Sequence, residues 1–315
     1  MDRSKHIKVL SLFDGMSCGN IAFEKLNIPI ESYDAYEIDK YAIQAAQENF
    51  FDLKEHGDVF SANFTQYNGC DFLIGGSPCT YWSIAQQPGK REKTASGLGW
   101  ELFSQYFRAL KEAKPKFFIY ENNQSMSKAI RESITESFGF EPNEINSALL
   151  TAQNRKRLYW VGKRTDKGYV AVNIEPIFDR QIWIRDILDN YVKEAYAFSM
   201  TGDFTNRRAS INKKAYCLAA NPSSDMKARV IYPNKEGNVK IENGKIHIRN
   251  KDYAIDLEDG SYELRDLSLS ECMKLQSVPN WYSFKGLSNT QAKKLLGNGW
   301  TIDVICHLID SCYRS

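Results

Sequence analysis

The thiol of Cys79 has the clearest chemical potential in this sequence. It lies in the stretch DFLIGGSPCTYWS, residues 71–83, where an apolar run predicts a buried strand and Gly75-Gly76 predict a turn that presents the cysteine. Ligands of open α/β sheets bind beyond the carboxyl ends of the strands, which is where this turn would place Cys79. A lone cysteine is more often a packed core side chain, so the rest of the chain must decide between the two interpretations.

Acidic residues follow the first predicted strands. Residues 8–13 predict a strand that runs into a glycine turn at Gly15. The second strand ends in Glu37, and a third short strand, predicted at residues 58–60, begins with Asp58. Backbone N–H groups at such a turn attract anionic ligand groups, and an acid about 20 residues beyond it can accept hydrogen bonds from ribose hydroxyls. Any one acid is more often surface charge, but together these strand ends predict an adenosine-type cofactor pocket.

A further acid, Glu121, follows the strand predicted at residues 117–120. Parallel neighbours in a β-α-β unit bring their carboxyl ends together, so we expect Glu121 to lie beside Cys79. Two arginines, Arg155 and Arg157, precede the next apolar run, where basic side chains suit contacts with a phosphate or a base. The alternative for both arginines is a solvated turn.

Alkylation of a pyrimidine carbon is one reaction that needs all of these groups. C5 of cytosine attacks a methyl sulfonium only after a thiolate has added to C6, which assigns Cys79 as the nucleophile. A carboxylic acid at N3, Glu121, stabilises that adduct, and an arginine at O2 balances the developing negative charge. We assign that arginine as Arg157, with Arg155 in support. Since C6 is hidden in a stacked duplex, the base must be flipped out.

Composition indicates a globular protein. The 315 residues are 43% hydrophobic and 25% charged, no apolar run approaches the roughly 18 residues of a membrane span, and the N-terminus shows no signal-peptide cleavage site. Seven scattered cysteines without a C-x-x-C pair and four scattered histidines predict neither a zinc site nor a disulfide framework. We therefore expect an intracellular, cytoplasmic protein in a reducing compartment that binds no metal and no membrane.

Charge is unevenly divided along the chain, although the net charge is only +2. Residues 1–150 carry 15 Lys and Arg against 20 Asp and Glu, whereas residues 201–251 carry 11 against 4. This basic segment on an acidic body indicates a polyanionic partner. A solvated face of mixed charge explains the charge pattern equally well when charge is considered alone.

Other segments carry local structural signals. The glycine-containing, basic stretch at residues 80–99 predicts a mobile lid over Cys79. Periodicity weakens between residues 165 and 259, where Asn243-Gly244 predicts a hairpin with a type I′ turn, and a smaller β-containing domain is expected there. Helical pattern returns at a capping box that begins with Ser268.

The ordered motifs resemble those of the C5-cytosine-specific DNA methyltransferases, which use S-adenosylmethionine. The similarity covers residues 8–164 and 262–312. It is carried by the segments LSLFDGMSCG, YEID, GDVF, GGSPCTYWS, YENN, QNRKRLYWVG, LSLSECMKLQSVP and LLGNGWTIDVICHL. The residues of several motifs are similar to those of the de novo methyltransferases of animals. This chain lacks the chromatin-reading domains of that branch, so we expect a compact bacterial or phage enzyme.

The resemblance implies a doubly wound α/β fold with a mostly parallel sheet, the fold of S-adenosylmethionine-dependent methyltransferases. The catalytic domain would comprise residues 1–164 and 262–315, and residues 165–261 would form a smaller, β-containing target-recognition domain. The implied partner is double-stranded DNA, with a cognate restriction endonuclease as a further candidate. The alternatives are a tRNA cytosine-5 methyltransferase and a catalytically silent, DNA-binding regulatory relative.

By position, the resemblance implies catalytic roles for Cys79, Glu121, Arg155 and Arg157. The implied cofactor contacts are Phe13, Asp14, Gly15, Gly19, Glu37, Ile38, Asp58, Val59, Pro78, Leu102, Asn298 and Trp300. Two departures stand out, Asn123 in place of the family's usual valine and Gly299-Trp300 in place of serine-valine. For Asn123 we expect a tolerated substitution; the alternatives are altered hydrogen bonding around the acid or the flipped base, and accommodation of a modified sulfonium donor.

Overall fold

The computed structural model describes residues 2–83, 89–201, 208–220 and 228–315. The strands are β1 Ile7–Leu12, β2 Ile30–Tyr36, β3 Leu53–Glu55, β4 Phe72–Gly75, β5 Phe117–Asn123, β6 Asn143–Asn146, β7 Lys156–Thr165, β8 Gly168–Ala171, β9 Tyr196–Thr201, β10 Arg208–Asn212, β11 Arg229–Pro233, β12 Val239–Glu242, β13 Lys245–Ile248, β14 Lys251–Ala254 and β15 Gly260–Asp266. The α-helices are α1 Cys18–Lys25, α2 Lys40–Asn49, α3 Leu98–Ala113, α4 Lys128–Phe138, α5 Ile184–Ile187, α6 Leu269–Leu275, α7 Asn289–Asn298 and α8 Ile302–Arg314. Short 3-10 helices lie at Val59–Ser61, Phe64–Tyr67, Cys79–Tyr81 and Ser147–Leu149.

The first sheet has the strand order β3-β2-β1-β4-β5-β7-β6, and β8 pairs with β7. β1 to β5 pair in parallel, whereas β7 is antiparallel to β5, β6 and β8. Every residue of the central strands β4 and β5 is buried, as expected for parallel strands covered on both faces. The predicted doubly wound, mostly parallel sheet is confirmed.

Alternating side chains of the first sheet belong to two hydrophobic clusters, one on each face. Val9 and Ile74 lie in one cluster together with side chains of α1 and α8. Leu10 and Leu73 lie in the other, with side chains of α3 and α4. Successive strand residues point to opposite faces, which explains this division. The last helix of the chain therefore packs on the same face of the sheet as the first helix.

The second sheet has the order β10-β9-β11-β15-β12-β13-β14 within the described residues, and its pairings are antiparallel. The predicted hairpin joins β12 to β13, and Asn243 and Gly244 both have positive φ, at 53° and 67°, as a type I′ turn requires. This sheet ends at Asp266, shortly before the capping box that begins α6 at Ser268. Both the hairpin and the capping box are confirmed.

The prediction of a third strand at residues 58–60 is wrong. The strand next to β2 is β3, Leu53–Glu55, and Asp58 instead caps a 3-10 helix by accepting a hydrogen bond from the backbone N–H of Phe60 at 3.0 Å. Short polar side chains bond to the backbone nearby and so compete with strand pairing.

An ion pair between the partly exposed Arg265 and a fully buried acid joins the second sheet to α6. Both oxygens of Glu271, which is fully buried, accept hydrogen bonds from Arg265 at 2.7 Å, and they also accept from the backbone N–H groups of Ser268 and Asp189. Burial alone would raise the pKa of Glu271, but Arg265 and the backbone donors hold that pKa below its ordinary value. Removing the carboxylate leaves Arg265 without this partner.

Replacing this acid should lower stability strongly. We expect Glu271→Ala to cost about 2 kcal/mol, because the backbone N–H groups of Ser268 and Asp189 and the partly exposed Arg265 lose their shared acceptor. The matched control is Glu132→Ala in α4, whose exposed pair with Lys128 spans 3.5 Å and should contribute under about 1 kcal/mol. Thermal unfolding of the two variants measures the difference, and equal midpoints would contradict the assignment.

Candidate active site

Cys79 is placed by the glycine turn that ends β4. An added Cβ at Gly75 would lie 2.5 Å from the Leu12 carbonyl oxygen, and one at Gly76 would lie 2.7 Å from that of Glu121. Only glycine fits such close approaches between neighbouring backbones. The turn therefore brings Cys79, the first residue of a 3-10 helix, to the carboxyl ends of β4 and β5.

Glu121 and Arg157 meet because β5 and β7 are antiparallel neighbours. Asn123 lies opposite Arg157, so Glu121, two residues away, is on the same face of the sheet. Arg157 Nε lies 2.9 Å from Glu121 Oε1, and the indole Nε1 of Trp300 donates to Oε2 at 3.0 Å. The two oxygens of this acid are thus held by donors from different parts of the chain.

The Cys79 thiol lies in the field of these charged groups. Burial raises its pKa above the ordinary value, and the Arg157 guanidinium opposes part of that rise. A nearby cation favours the thiolate, which is the nucleophilic form. The arrangement therefore combines a thiol, a carboxyl group and a guanidinium at one strand edge.

Arg155 is placed differently from Arg157. It is almost fully buried, and Nη1 donates to the Leu218 carbonyl oxygen at 3.1 Å. Nη2 donates to the carbonyl oxygens of Gly297 at 3.1 Å and Gly299 at 2.7 Å. These bonds join two distant loops, so the structure places Arg155 as an anchor between backbone segments.

Cys217 is a site residue that the sequence reasoning missed. Its Sγ lies 3.3 Å from Arg155 Nη1 and 3.9 Å from Arg157 Nη2. Burial acts to raise the pKa of Cys217, but the two arginines outweigh it and the pKa lies below its ordinary value. The residue is about 60 positions from both arginines, so no local pattern could have identified it.

Asn123, the departure from the family's valine, supports the loop that carries the nucleophile. It is buried, and its Nδ2 donates to Asn122 Oδ1 at 3.1 Å and to the Cys79 carbonyl oxygen at 3.4 Å. Its Oδ1 accepts from the Ser125 hydroxyl at 2.8 Å. The amide therefore takes part in the hydrogen bonding between β5 and the start of the 3-10 helix.

A cavity lies beyond the carboxyl ends of β1, β2 and β4, and Cys79 and Glu121 line it. Of the predicted cofactor positions, its lining includes Phe13, Asp14, Gly15, Gly19, Glu37, Pro78, Asn298 and Trp300. Four predicted positions are not part of that lining. Asp58 is the 3-10 cap, Val59 is buried in a hydrophobic cluster, Ile38 is 77% exposed, and Leu102 is a half-buried residue of α3.

Asp14 has one satisfied and one unsatisfied oxygen. Oδ1 accepts hydrogen bonds from the hydroxyls of Ser11 and Tyr33, and Oδ2, which is buried, has no hydrogen-bond partner. Burial raises the pKa of this carboxyl to about 6. A buried oxygen without a partner is costly, and in a cavity it is a place where a donor of a ligand would bind.

Glu37 is fixed by the backbone around it. Its Oε2 accepts from the N–H of Gly15, and its Oε1 accepts from those of Ile38 and Asp39, all at 2.8 Å. Each carboxylate oxygen has about two lone-pair sites, so Oε1 is fully used and Oε2 retains room for one further donor. The acid is thus oriented in advance at the edge of the cavity.

The described part of the predicted lid is bonded internally through Trp82 and to the body of the protein at Ser125. Arg91 donates to the carbonyl oxygens of Trp82, at 3.0 Å, and Ser125, and Glu92 accepts from the Trp82 indole at 3.1 Å. Residues 84–88 of this segment lie outside the described residues.

Neither a metal cluster nor a membrane span is found in the described ranges. No group of three or more His, Cys, Asp or Glu side chains there is placed to hold a metal ion. No helix among the described residues has the length and apolar character needed to cross a bilayer.

Comparison with known proteins places these features in context. The model of a protein family described as C-5 cytosine-specific DNA methylase matches residues 7–314 of this chain. The orphan methyltransferase M.SPRI of Bacillus phage SPR is 33% identical over 172 residues, 51% of this chain but only 38% of that protein. The type II methyltransferase M.Bsp6I of Bacillus sp. (strain RFL6) is 24% identical over 330 residues, 98% of this chain and 99% of that protein.

Solved structures show the same fold. The Entamoeba histolytica methyltransferase EhMeth has a TM-score of 0.70 at 16% identity, with 99% of both chains covered. A putative DNA modification methyltransferase from a prophage of E. coli has a TM-score of 0.63 at 17% identity, with 98% of this chain and 99% of that chain covered. The methyltransferase fold is confirmed, and because the family match runs through residues 7–314, the chain belongs to the C-5 cytosine-specific DNA methylases.

Proposed function

We propose that this protein is a DNA (cytosine-5-)-methyltransferase that uses S-adenosylmethionine and forms a covalent bond between Cys79 and C6 of a flipped-out cytosine. The observation that carries the proposal is that Cys79 and Glu121 line one cavity together with Asp14 and Glu37, while Arg157 pairs with Glu121 from the adjacent strand. A cytosine bound there would have its ring between a thiol and a carboxyl group.

Each side chain has a distinct task in this mechanism. Cys79 adds to C6 as the thiolate, which Arg157 favours electrostatically. Glu121 holds or donates the proton at N3, so that the ring accepts the electrons of the new bond. Arg157 keeps Glu121 in place through Oε1 and adds positive charge near the ring oxygen. Loss of the C5 proton and expulsion of Cys79 restore the aromatic ring.

The cavity residues fit S-adenosylmethionine. When bound, this cofactor supplies a methyl group on a sulfonium centre. The free Oδ2 of Asp14 suits its ammonium group, and Glu37 Oε2, which retains one lone-pair site, suits a ribose hydroxyl. Phe13, Gly15, Gly19, Pro78, Asn298 and Trp300 would form the surrounding walls. Ile38, Asp58, Val59 and Leu102 remain proposed cofactor contacts from the resemblance, although they lie outside the cavity lining.

Double-stranded DNA is the proposed substrate, bound mainly by the target-recognition domain of residues 165–261 against a catalytic domain of residues 1–164 and 262–315. β8, at residues 168–171, belongs to the first sheet, so the catalytic sheet extends slightly beyond residue 164. Within the basic segment of residues 201–251, the described basic side chains that are exposed are Arg208, Lys213, Lys235, Lys240, Lys245, Arg249 and Lys251. Lys214 is buried against backbone carbonyls and is excluded from that set.

We further propose a cytoplasmic setting, in a bacterial or phage-infected cell, with a cognate restriction endonuclease as a candidate partner. A tRNA methyltransferase and a silent DNA-binding relative are the competing functions. Offering duplex DNA and tRNA side by side with methyl-labelled cofactor separates them. Label transferred to C5 of cytosine in DNA supports the proposal, whereas label in tRNA alone or in neither contradicts it.

Removing the nucleophile should abolish the reaction without abolishing binding. We expect Cys79→Ser to lose methyl transfer by a factor of at least about 10³, because a serine hydroxyl is a far weaker nucleophile than a thiolate. Binding to DNA should persist and should weaken steeply with salt, since phosphate contacts dominate affinity. Cys70→Ser is the control, because Cys70 is a buried thiol outside the cavity lining. Full activity of Cys79→Ser would refute the covalent mechanism.

The Asp14 carboxylate should favour cofactor binding but lower the folding stability of the cofactor-free protein. Its folded pKa of about 6 lies above the value of about 3.9 for an unfolded Asp, so the folded protein retains a proton that the unfolded chain has released. The stability from protonated Asp14 is present below about pH 4 and is lost as pH rises through 6. Asp14→Asn should therefore stabilise the cofactor-free protein by on the order of 2 kcal/mol at pH 7.5, and by less at pH 5.

The same substitution should weaken binding of S-adenosylhomocysteine about tenfold or more, because a charged hydrogen bond is lost. Thermal unfolding at the two pH values and calorimetric titration provide the measurements. The exposed Asp52→Asn variant should change neither quantity. Unaltered affinity of Asp14→Asn would argue against the ammonium contact.

A further inference from the structure

Building on the function proposed above, we propose that Trp300 is a positioning residue for Glu121. Through its indole N–H it fixes the acid's orientation, and it thereby couples the loop of residues 297–300 at the cofactor cavity to the proton at N3. This role differs from that of a cavity wall, which the resemblance alone implies for Trp300.

The hydrogen bonds of Glu121 show why a second donor matters. Arg157 Nε lies 2.9 Å from Oε1, and Trp300 Nε1 lies 3.0 Å from Oε2. A carboxyl group held by one oxygen can still turn about its last torsion angle, which is broad and weakly restrained. With both oxygens held from different directions, the plane of the Glu121 carboxyl group is defined.

Trp300 is itself held firmly by its loop. Its backbone N–H donates to Cys18 Sγ at 3.4 Å. The preceding Gly299 carbonyl oxygen accepts from Arg155 at 2.7 Å and from Gln276 at 3.3 Å. Glycine is required at residue 297, because a Cβ there would lie 2.5 Å from the backbone of Ala219. The indole donor therefore has a defined position relative to β5.

The ring and the N–H of Trp300 have separable tasks. The ring lines the cavity and would contact a bound cofactor, whereas the N–H is aimed at Glu121. If Trp300 served only as a wall, any planar side chain of similar size would be adequate. If it positions the acid, the N–H is the essential part.

Two substitutions separate these tasks. Trp300→Phe keeps an aromatic ring but removes the N–H. Trp300→His keeps a ring N–H, because Nε2 of imidazole occupies the same place in the five-membered ring as Nε1 of indole. It removes the fused six-membered ring. Trp300 is only half-buried, which favours folding of both variants, and thermal unfolding verifies this.

The decisive readout is a reaction that needs the acid but not the cofactor. Addition of the Cys79 thiolate at C6, with the proton held at N3 by Glu121, turns C5 into an enamine carbon that accepts a proton from water. Loss of a proton from C5 and expulsion of the thiolate regenerate cytosine, with no net oxidation or reduction. Plasmid DNA carrying tritium at cytosine C5 would then release tritiated water without any cofactor.

We expect Trp300→Phe to slow this release about tenfold or more, within the range by which general acids act, while S-adenosylhomocysteine affinity changes by less than about threefold. Trp300→His should retain release within about threefold of the natural protein even where its cofactor affinity falls. In methyl transfer, Trp300→Phe should lower kcat far more than it raises KM for the cofactor. Trp281→Phe, at an exposed tryptophan packed against Phe50, is the control and should change none of these values.

Natural release rates in Trp300→Phe would overturn the inference, as would equal losses in the Phe and His variants, since both outcomes would assign the ring alone. If Trp300→Phe proves unstable, the His variant decides: loss of release there rejects the positioning role. Failure of the proposed function is distinguishable, because the natural protein would then neither release tritium nor methylate DNA.

Discussion

The ion pair between Glu121 and Arg157 is the interaction on which the site depends. Their side chains are only 11% and 14% exposed, so both charges have lost most of their contact with water. Such pairs are costly to bury and persist when further hydrogen bonds satisfy the remaining atoms. Trp300 supplies one such bond to the acid, and the Lys156 carbonyl oxygen accepts one from the arginine. The switch from parallel to antiparallel pairing at β7 makes this meeting possible.

Elements with strong local signals could be predicted from the sequence. The first strand, predicted at residues 8–13, is Ile7–Leu12. The turn at Asn243-Gly244 needed only the preference of these residues for positive φ. The strand prediction at residues 58–60 failed because an apolar pair after an acid resembles a short strand. The Asp58 side chain instead caps a 3-10 helix.

The candidate site, like the fold, could be predicted from the sequence only in part. A resemblance of motifs predicted that Cys79 and Glu121 belong to one centre, and strand topology explains how they meet. The sequence assigned the O2 contact to Arg157 and a supporting role to Arg155, but it could not show what either side chain bonds to, because those partners lie far along the chain. Cys217 had no local signal for the same reason. Long-range hydrogen bonds, and not residue type, distinguish Arg155, an anchor between backbone segments, from Arg157, which pairs with the acid.

The hydrogen bonds of Arg155 also affect when the site can assemble during synthesis and folding. Its bond to Gly299 joins residues 144 positions apart, and its bond to Leu218 spans 63. During synthesis, β1 to β7 emerge long before the loop that carries Gly299. A nascent chain therefore contains Cys79, Glu121 and both arginines while the carboxyl group still lacks its indole partner. The site remains incomplete until the segment with Gly299 and Trp300 has been synthesised and has closed these long-range contacts.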